Sequence, residues 1–158
     1  MLPKVVLLIL TWNRRDDVLR CVASLPRLTY PNLTPVVIDN ASRDDTVAVL
    51  RARHPDLTIL ENRRNLGYAG GNNAGIGWAL AQGADYVQLI NSDTEVTPDM
   101  TGALVRVAES DPRIAVVGSS IRMLRHPTTA MRGSDSATRT NAPVMSGVTS
   151  VSLLMSWT

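Results

Sequence analysis

Asp93 is the residue from which chemistry is most easily built. It lies in Tyr86-Val87-Gln88-Leu89-Ile90-Asn91-Ser92-Asp93-Thr94-Glu95, where mostly apolar, strand-like residues run into a polar cluster, with Pro98 soon after. A buried strand that ends in side-chain oxygens holds a carboxylate rigidly at the rim of a sheet. In open α/β sheets, ligands bind outside the carboxyl ends of the strands. Asp93 beside Asn91 and Thr94 offers hard oxygen ligands of the kind Mg²⁺ or Mn²⁺ takes. The expectation is that Asp93 holds a divalent cation against a diphosphate. The plainer alternative is a turn that caps the next helix, since Asn, Ser, Asp and Thr all favour turns and caps.

Two more strand ends repeat the pattern. Val5–Leu10 is a continuous apolar run that leads into Thr11-Trp12-Asn13. Pro35-Val36-Val37-Ile38-Asp39 ends in a carboxylate, followed by Asn40. Parallel strands point their C-terminal ends the same way, so Thr11, Asn13, Asp39, Asn40, Asn91 and Asp93 are expected on one edge. Asp39 can accept a hydrogen bond from an imide N–H such as that of uracil or thymine, or it can cap the turn at residues 40–42. A glycine-rich stretch, Asn65-Leu66-Gly67-Tyr68-Ala69-Gly70-Gly71-Asn72-Asn73-Ala74-Gly75, follows Arg63 and Arg64. It reads as a loop running into a helix. Glycines let backbone approach a phosphate and a helix start favours anions, with the two arginines adding charge. Close packing of a small-residue helix on the sheet is the alternative. The stretch is neither a Walker loop nor a dinucleotide fingerprint, because the following Lys-Ser/Thr and the placement after the first strand are both missing.

The elements that must position these groups alternate. Short apolar runs at 5–10, 35–39, 57–60, 86–90 and 114–118 are separated by four helical patterns. Val18, Cys21, Val22 and Leu25 share one face of the first, and Asn13 is its expected cap. Ser42 is the expected cap of the second, which His54-Pro55 stops. The third reaches about Gln82, with Gly83 as its C-terminal cap. Pro98 starts the fourth, with Met100, Leu104, Val107 and Ala108 inward. Five strands and four helices in alternation predict an α/β fold with a largely parallel sheet and right-handed connections.

Composition narrows the class. The chain has 158 residues, 44% hydrophobic and 19% charged, with a net charge of +2. That suits one globular domain. Lys4 is the sole lysine, and no basic block with interleaved aromatics argues for nucleic acid. The single Cys21 excludes an internal disulfide and fits a reducing compartment. Val5–Leu10 is too short to span a bilayer, and the residues around it make a poor signal peptide. The expected location is cytoplasmic, with attachment to the inner face of a membrane left open.

Four motifs in order carry a resemblance: Leu7 to Arg14, with Thr-Trp-Asn-Arg after the strand; Val37-Ile38-Asp39-Asn40-Ala41-Ser42 with Asp44; Asn65 to Gly75; and Leu89 to Glu95. Over residues 4 to about 120 the chain resembles the family 2 glycosyltransferases, in their rhamnosyltransferase-like branch. The resemblance implies a type A glycosyltransferase fold, a Rossmann-like, mostly parallel sheet with helices on both faces. It implies a nucleotide-diphosphate-sugar donor, UDP- or dTDP-linked, and a saccharide or lipid-linked acceptor. By that analogy Thr11 and Asn13 lie near the nucleoside, Asp39 contacts the base, and Gly70, Gly71 and Asn72 border the donor pocket. Asp93 matches the last Asp of the family's Asp-x-Asp metal motif, and Asn91 stands at its first position, one carboxylate fewer. The implied reaction is an inverting, metal-assisted displacement of the kind used in cell-surface polysaccharide or glycolipid synthesis.

The match runs out towards the C-terminus. Residues 1–124 are expected to form the nucleotide-sugar-binding domain. Residues 125–158 are expected to be a poorly ordered loop and the start of an acceptor-side region, with the apolar 144–155 segment suggesting a chain cut short. The family's catalytic base is not found in this chain; Asp135 and Glu95 are poor candidates. The competing expectation is an inactive nucleotide-sugar-binding module that lacks an acceptor half.

Overall fold

The structure is a computed structural model that describes residues 1–119 and 153–156. Its centre is β1 (Val5–Thr11), with β2 (Leu33–Asp39) on one side and β4 (Tyr86–Asn91) on the other, both parallel to it. β3 (Thr58–Glu61) adds in parallel outside β2. Beyond β4 come β6 (Leu153–Ser156) and then β5 (Val116–Gly118), with β6 antiparallel to both neighbours. The sheet therefore has six strands in the order β3-β2-β1-β4-β6-β5. It is the mostly parallel α/β sheet that the alternation of elements predicts.

Two apolar layers explain the continuous hydrophobic runs. Val5, Leu7 and Ile9 face one layer with Val37 and Ile90; Val6 and Leu8 face the other with Val36, Ile38, Val87 and Leu89. A strand covered on both faces has no solvent side to mark with polar residues. The first layer receives α1 (Arg15–Ser24), α2 (Thr46–Arg53) and α4 (Met100–Ala108), and the second receives α3 (Gly67–Ala81).

This sidedness follows from chirality. The steps β1–α1–β2 and β2–α2–β3 move one way across the sheet, and β3–α3–β4 moves back past β1. Crossovers of one hand must then place α3 on the opposite face. The expectation that every connection shares this hand fails at α4. The β4–α4–β5 step moves the same way as β3–α3–β4, yet Thr101 of α4 donates to Gln88 on the α1 side, so its hand is reversed. β6 fills the place beside β4, so β5 docks one strand further out.

Several local expectations are corrected. The glycine-rich stretch is no loop: from Gly67 onwards it is α3, entered through Leu66. Its glycines serve contact. A Cβ on Gly71 would lie 2.6 Å from Leu10 Cδ1, and one on Gly75 2.2 Å from Ile38 Cδ1 and 3.0 Å from Leu8 Cδ1. Helix α2 begins at Thr46 and Ser42 does not cap it; α1 begins after Arg14, and Asn13 does not cap that one. Val107 faces outward at 36% exposure. Gly83 does close α3, at φ +71°. Most of the 125–158 region lies outside the described residues; its Leu153–Ser156 segment is a strand of the same sheet.

The glycine contacts generate a paired prediction. Gly75→Val should lower stability by about 1–3 kcal/mol through overpacking. Gly77→Ala, where nothing lies within 4 Å of the added carbon, should raise it by up to about 1 kcal/mol through helix propensity. Urea midpoints of the two variants check both signs.

Candidate functional site

The strand register sets the site. Thr11 is level with Asp39, and Asn91 is level with Leu10, so three parallel strands end together. Strand order reverses at β1, the kind of switch point where open α/β sheets bind ligands. Thr11 ends β1, with Asn13 two residues beyond it, and Asn91 ends β4, with Asp93 two residues beyond it.

Asp39 takes the capping role that its sequence allows, and one of its oxygens is left over. It is 3% exposed, and its Oδ2 accepts from the Ser42 amide at 2.9 Å, closing the turn. Its Oδ1 is buried without a hydrogen-bond partner, as is Thr11 Oγ1 beside it in register. A buried carboxylate oxygen that accepts nothing costs free energy, which a donor group on a ligand would recover. Asn13 is exposed and sits in the left-handed region at φ +51°. It ties two loops together. Its amide donates to Ser42 Oγ at 2.8 Å, and its Oδ1 accepts from the Arg43 amide at 2.7 Å. Ala41 also has positive φ, +64°, inside this clamp. Between the two loops lies a depression of about 540 Å³ whose walls include Asn13, Arg15, Asp44 and Asp45, with Arg15 reaching Asp45 at 3.1 Å.

Asn40 is the organising residue of this edge, more than its place at a strand end suggests. It is 2% exposed, and its side-chain amide uses every hydrogen-bonding position it has. Nδ2 donates to Asn65 Oδ1 and to the Gly67 carbonyl, at 2.8 and 3.1 Å. Oδ1 accepts from Asn62 Nδ2 and the Leu66 amide, both at 3.0 Å. One side chain at the end of β2 therefore fixes the whole turn from Asn62 to Gly67. The sequence signal was the series Asn40, Asn62, Asn65, but nothing in it says that the three meet.

Gly70, Gly71 and Asn72 sit in the first turns of α3. Gly71 is pressed on Leu10, and Asn72 is buried with Nδ2 donating back to the Tyr68 carbonyl at 3.0 Å. All three belong to the helix that backs the edge, and of them Gly71 uses its small size against the sheet, while Gly70 lies against Leu66.

Asn91 closes β4 half-buried, and Asp93 is exposed two residues later. Among the described residues the Asp93 carboxylate has no ion pair or hydrogen bond, and no three His, Cys, Asp or Glu side chains gather into a metal cluster. A lone free carboxylate with an amide oxygen nearby fits Mg²⁺ or Mn²⁺, ions that keep water and a phosphate oxygen among their ligands. It would not fit a metal held wholly by protein.

The loop carrying Asp93 is held from behind by α1. Ser24, 3% exposed, donates from Oγ to the Cys21 carbonyl at 2.7 Å and accepts the Val96 amide at 3.1 Å. Thr29, just past α1, donates its amide and hydroxyl to the Pro98 carbonyl, each at 3.0 Å. Sequence reading missed Ser24, since a serine late in a helix carries no distinctive signal. Cys21 lies under the same loop, its Sγ 3.9 Å from the Asn91 carbonyl. Burial pushes its thiol up to about 12, the Asp93 charge pushes the same way, and a backbone hydrogen bond from Thr94 opposes them.

Two outcomes follow from this support. Ser24→Ala leaves the buried Val96 amide unmatched and should cost about 1–3 kcal/mol in denaturant melts. Cys21 should resist alkylation at pH 8.5 in the native state and react at the rate of unfolding. Its folded pKa lies above the unfolded value of about 8.5, so the stability it contributes is complete below that pH. Stability should fall as pH rises from about 8.5 towards 12, and Cys21→Ala should flatten that slope.

Known proteins share this fold. A mannosyltransferase from Pyrobaculum calidifontis, solved in complex with GDP-Man and Mn²⁺, superposes with a TM-score of 0.64 at 24% identity, over 77% of this chain and 36% of that one. TarS 1-349 from S. aureus, in complex with UDP-GlcNAc, gives 0.62 at 18% identity, over 82% and 37%. These likenesses show the fold. In sequence, galactofuranosyltransferase GlfT1 of Mycobacterium tuberculosis is 40% identical over 98 residues, 59% of this chain and 31% of that protein. The succinoglycan biosynthesis protein ExoO of Rhizobium meliloti is 28% identical over 109 residues, 68% and 30%. The chain thus spans about 30% of the length of these relatives. The family model described as glycosyl transferase family 2 matches residues 6–147, and with the strand ends arranged as above, the chain belongs to that family.

Proposed function

We propose that this chain forms the donor side of a glycosyl transfer. It binds a nucleotide-diphosphate-sugar, UDP- or dTDP-linked, whose sugar passes with inversion to a hydroxyl of a saccharide or lipid-linked acceptor. The setting is cell-surface polysaccharide or glycolipid synthesis. The observation that carries the reading is the pair of carboxylates at one sheet edge: Asp39 buried with one oxygen unmatched, and Asp93 without a cation partner among the described residues. One suits a neutral N–H donor, the other a metal ion or its water.

In this reading Asp39 Oδ1 accepts the imide N–H of the base, and Thr11 and Asn13 border the nucleoside. Gly70, Gly71 and Asn72 back the donor pocket, with their helix packed too closely on the sheet to shift. Asp93, with Asn91 beside it, would hold Mg²⁺ or Mn²⁺, which when bound supplies Lewis-acid stabilisation of the departing diphosphate. The protein's own part is orientation. Asn13 and Asn40 fix the two loops beside the base, and Ser24 and Thr29 fix the loop of Asp93. The base that takes the acceptor's proton is assigned to no residue of this chain. Support comes also from the neighbours solved with GDP-Man and UDP-GlcNAc.

Thermal melting with UDP, dTDP or GDP, each with and without Mn²⁺, tests the reading. Binding to the native state should raise apparent stability by about 2.7 kcal/mol at 100 times Kd. The metal-dependent part should vanish in Asp93→Ala, and Asp39→Ala should weaken nucleotide binding with or without metal. A response to GDP alone would move the base assignment away from uracil and thymine. No response to any of the three would remove the donor reading, and transfer assays then separate an enzyme from a binder.

A further inference from the structure

The arginines of the described residues divide into two groups. Arg14, Arg15, Arg20, Arg27, Arg51, Arg106 and Arg113 each lie within 4.0 Å of a carboxylate. Arg63 and Arg64 have no such partner among the described residues, and both are exposed. They sit together on the turn between β3 and α3, at the sheet edge where the parallel strands end. Arg43, on the neighbouring turn after β2, and Arg53, at the end of α2, are also exposed and without a carboxylate within 4.0 Å among the described residues.

The same turn exposes apolar side chains. Leu66 is 39% exposed and Tyr68 58%, and every residue from 63 to 68 is exposed. Free guanidiniums followed at once by an outward Leu and Tyr suit a surface that is anionic at its face and apolar just beneath. Arginine pairs with phosphates, and an amphipathic aromatic sits at headgroup depth. The turn is also rigid, because the four hydrogen bonds of Asn40 hold it at residues 62, 65, 66 and 67. Its side chains are presented at little further cost in backbone order.

We propose that the Arg63–Tyr68 turn docks this edge of the protein on an anionic lipid surface. A soluble phosphate would satisfy the arginines but leave Leu66 and Tyr68 unexplained; a bilayer accounts for both. Among the described residues no helix is long and apolar enough to cross a membrane, so the contact is peripheral. The inference does not rest on the donor reading, although the same turn borders the proposed base site and docking here brings lipid-borne acceptors to the strand ends.

The test is co-sedimentation of the whole chain with vesicles of phosphatidylcholine alone or with 30% phosphatidylglycerol, a composition on the order of an anionic leaflet. Binding should require the anionic lipid and weaken as salt rises. Each guanidinium near such a surface is worth about fivefold in partitioning, so Arg63→Ala with Arg64→Ala should weaken it roughly 25-fold. Leu66→Ser with Tyr68→Ser should remove the part that survives high salt. Melts of each variant verify folding, and nucleotide titration reads the donor site separately. Equal binding to neutral vesicles, or binding unchanged in the arginine variant, would overturn the proposal. So would displacement from vesicles by saturating UDP, which would assign the turn to the nucleotide instead.

Discussion

Strand β1 has a parallel neighbour on each edge and an apolar layer on each face, and that enclosure fixes the rest. Its residues from Val5 to Ile9 have no exposed surface. A one-residue slip of register against β2 or β4 would exchange the two apolar layers and move Thr11 away from Asp39. The level ends of β1, β2 and β4 are thus held by core packing, and the polar groups at those ends inherit its precision. The edge can keep unmatched oxygens because the hydrophobic layers below it supply the stability.

The fold was readable because it is written in apolar runs. Strands covered on both faces show as unbroken hydrophobic stretches, and their alternation with helical spacing leaves few other sheets. Asp39, Thr11 and Asp93 could be placed on one edge from that alone, since parallel strands share a direction. The glycine-rich stretch was harder. The same small residues suit a phosphate loop and a helix pressed on a sheet, and the closeness of Gly75 to Ile38 depends on a tertiary contact. Ser24, Asn40 and the true start of α2 were likewise hidden, because their partners lie far along the chain. The place of β5, one strand out from β4, follows from β6, which lies many residues away in sequence.

Asn40 and Ser24 show two ways of supporting a rim. Asn40 holds neighbouring turns from within the edge, with donors and acceptors both saturated, so a carboxylate or an alkyl side chain of similar size could not replace it. Ser24 works from below, passing one hydrogen bond from the end of α1 to the loop after β4. Each fixes backbone and leaves charged side chains beyond it free. This separation is what allows an edge to be rigid and still leave Asp93, Arg63 and Arg64 without an ion pair among the described residues.

The place of β6 has a consequence for how the chain is made. Leu153–Ser156 pairs with β4 on one side and β5 on the other. A ribosome releases β1 to β4 well before that segment, so for part of synthesis β4 presents an unpaired edge of apolar residues. Closing so long a connection is also slow relative to local contacts. The nascent intermediate is a ready template for pairing with another chain, and a holdase chaperone that covers this edge until residue 156 emerges would raise the yield of native protein.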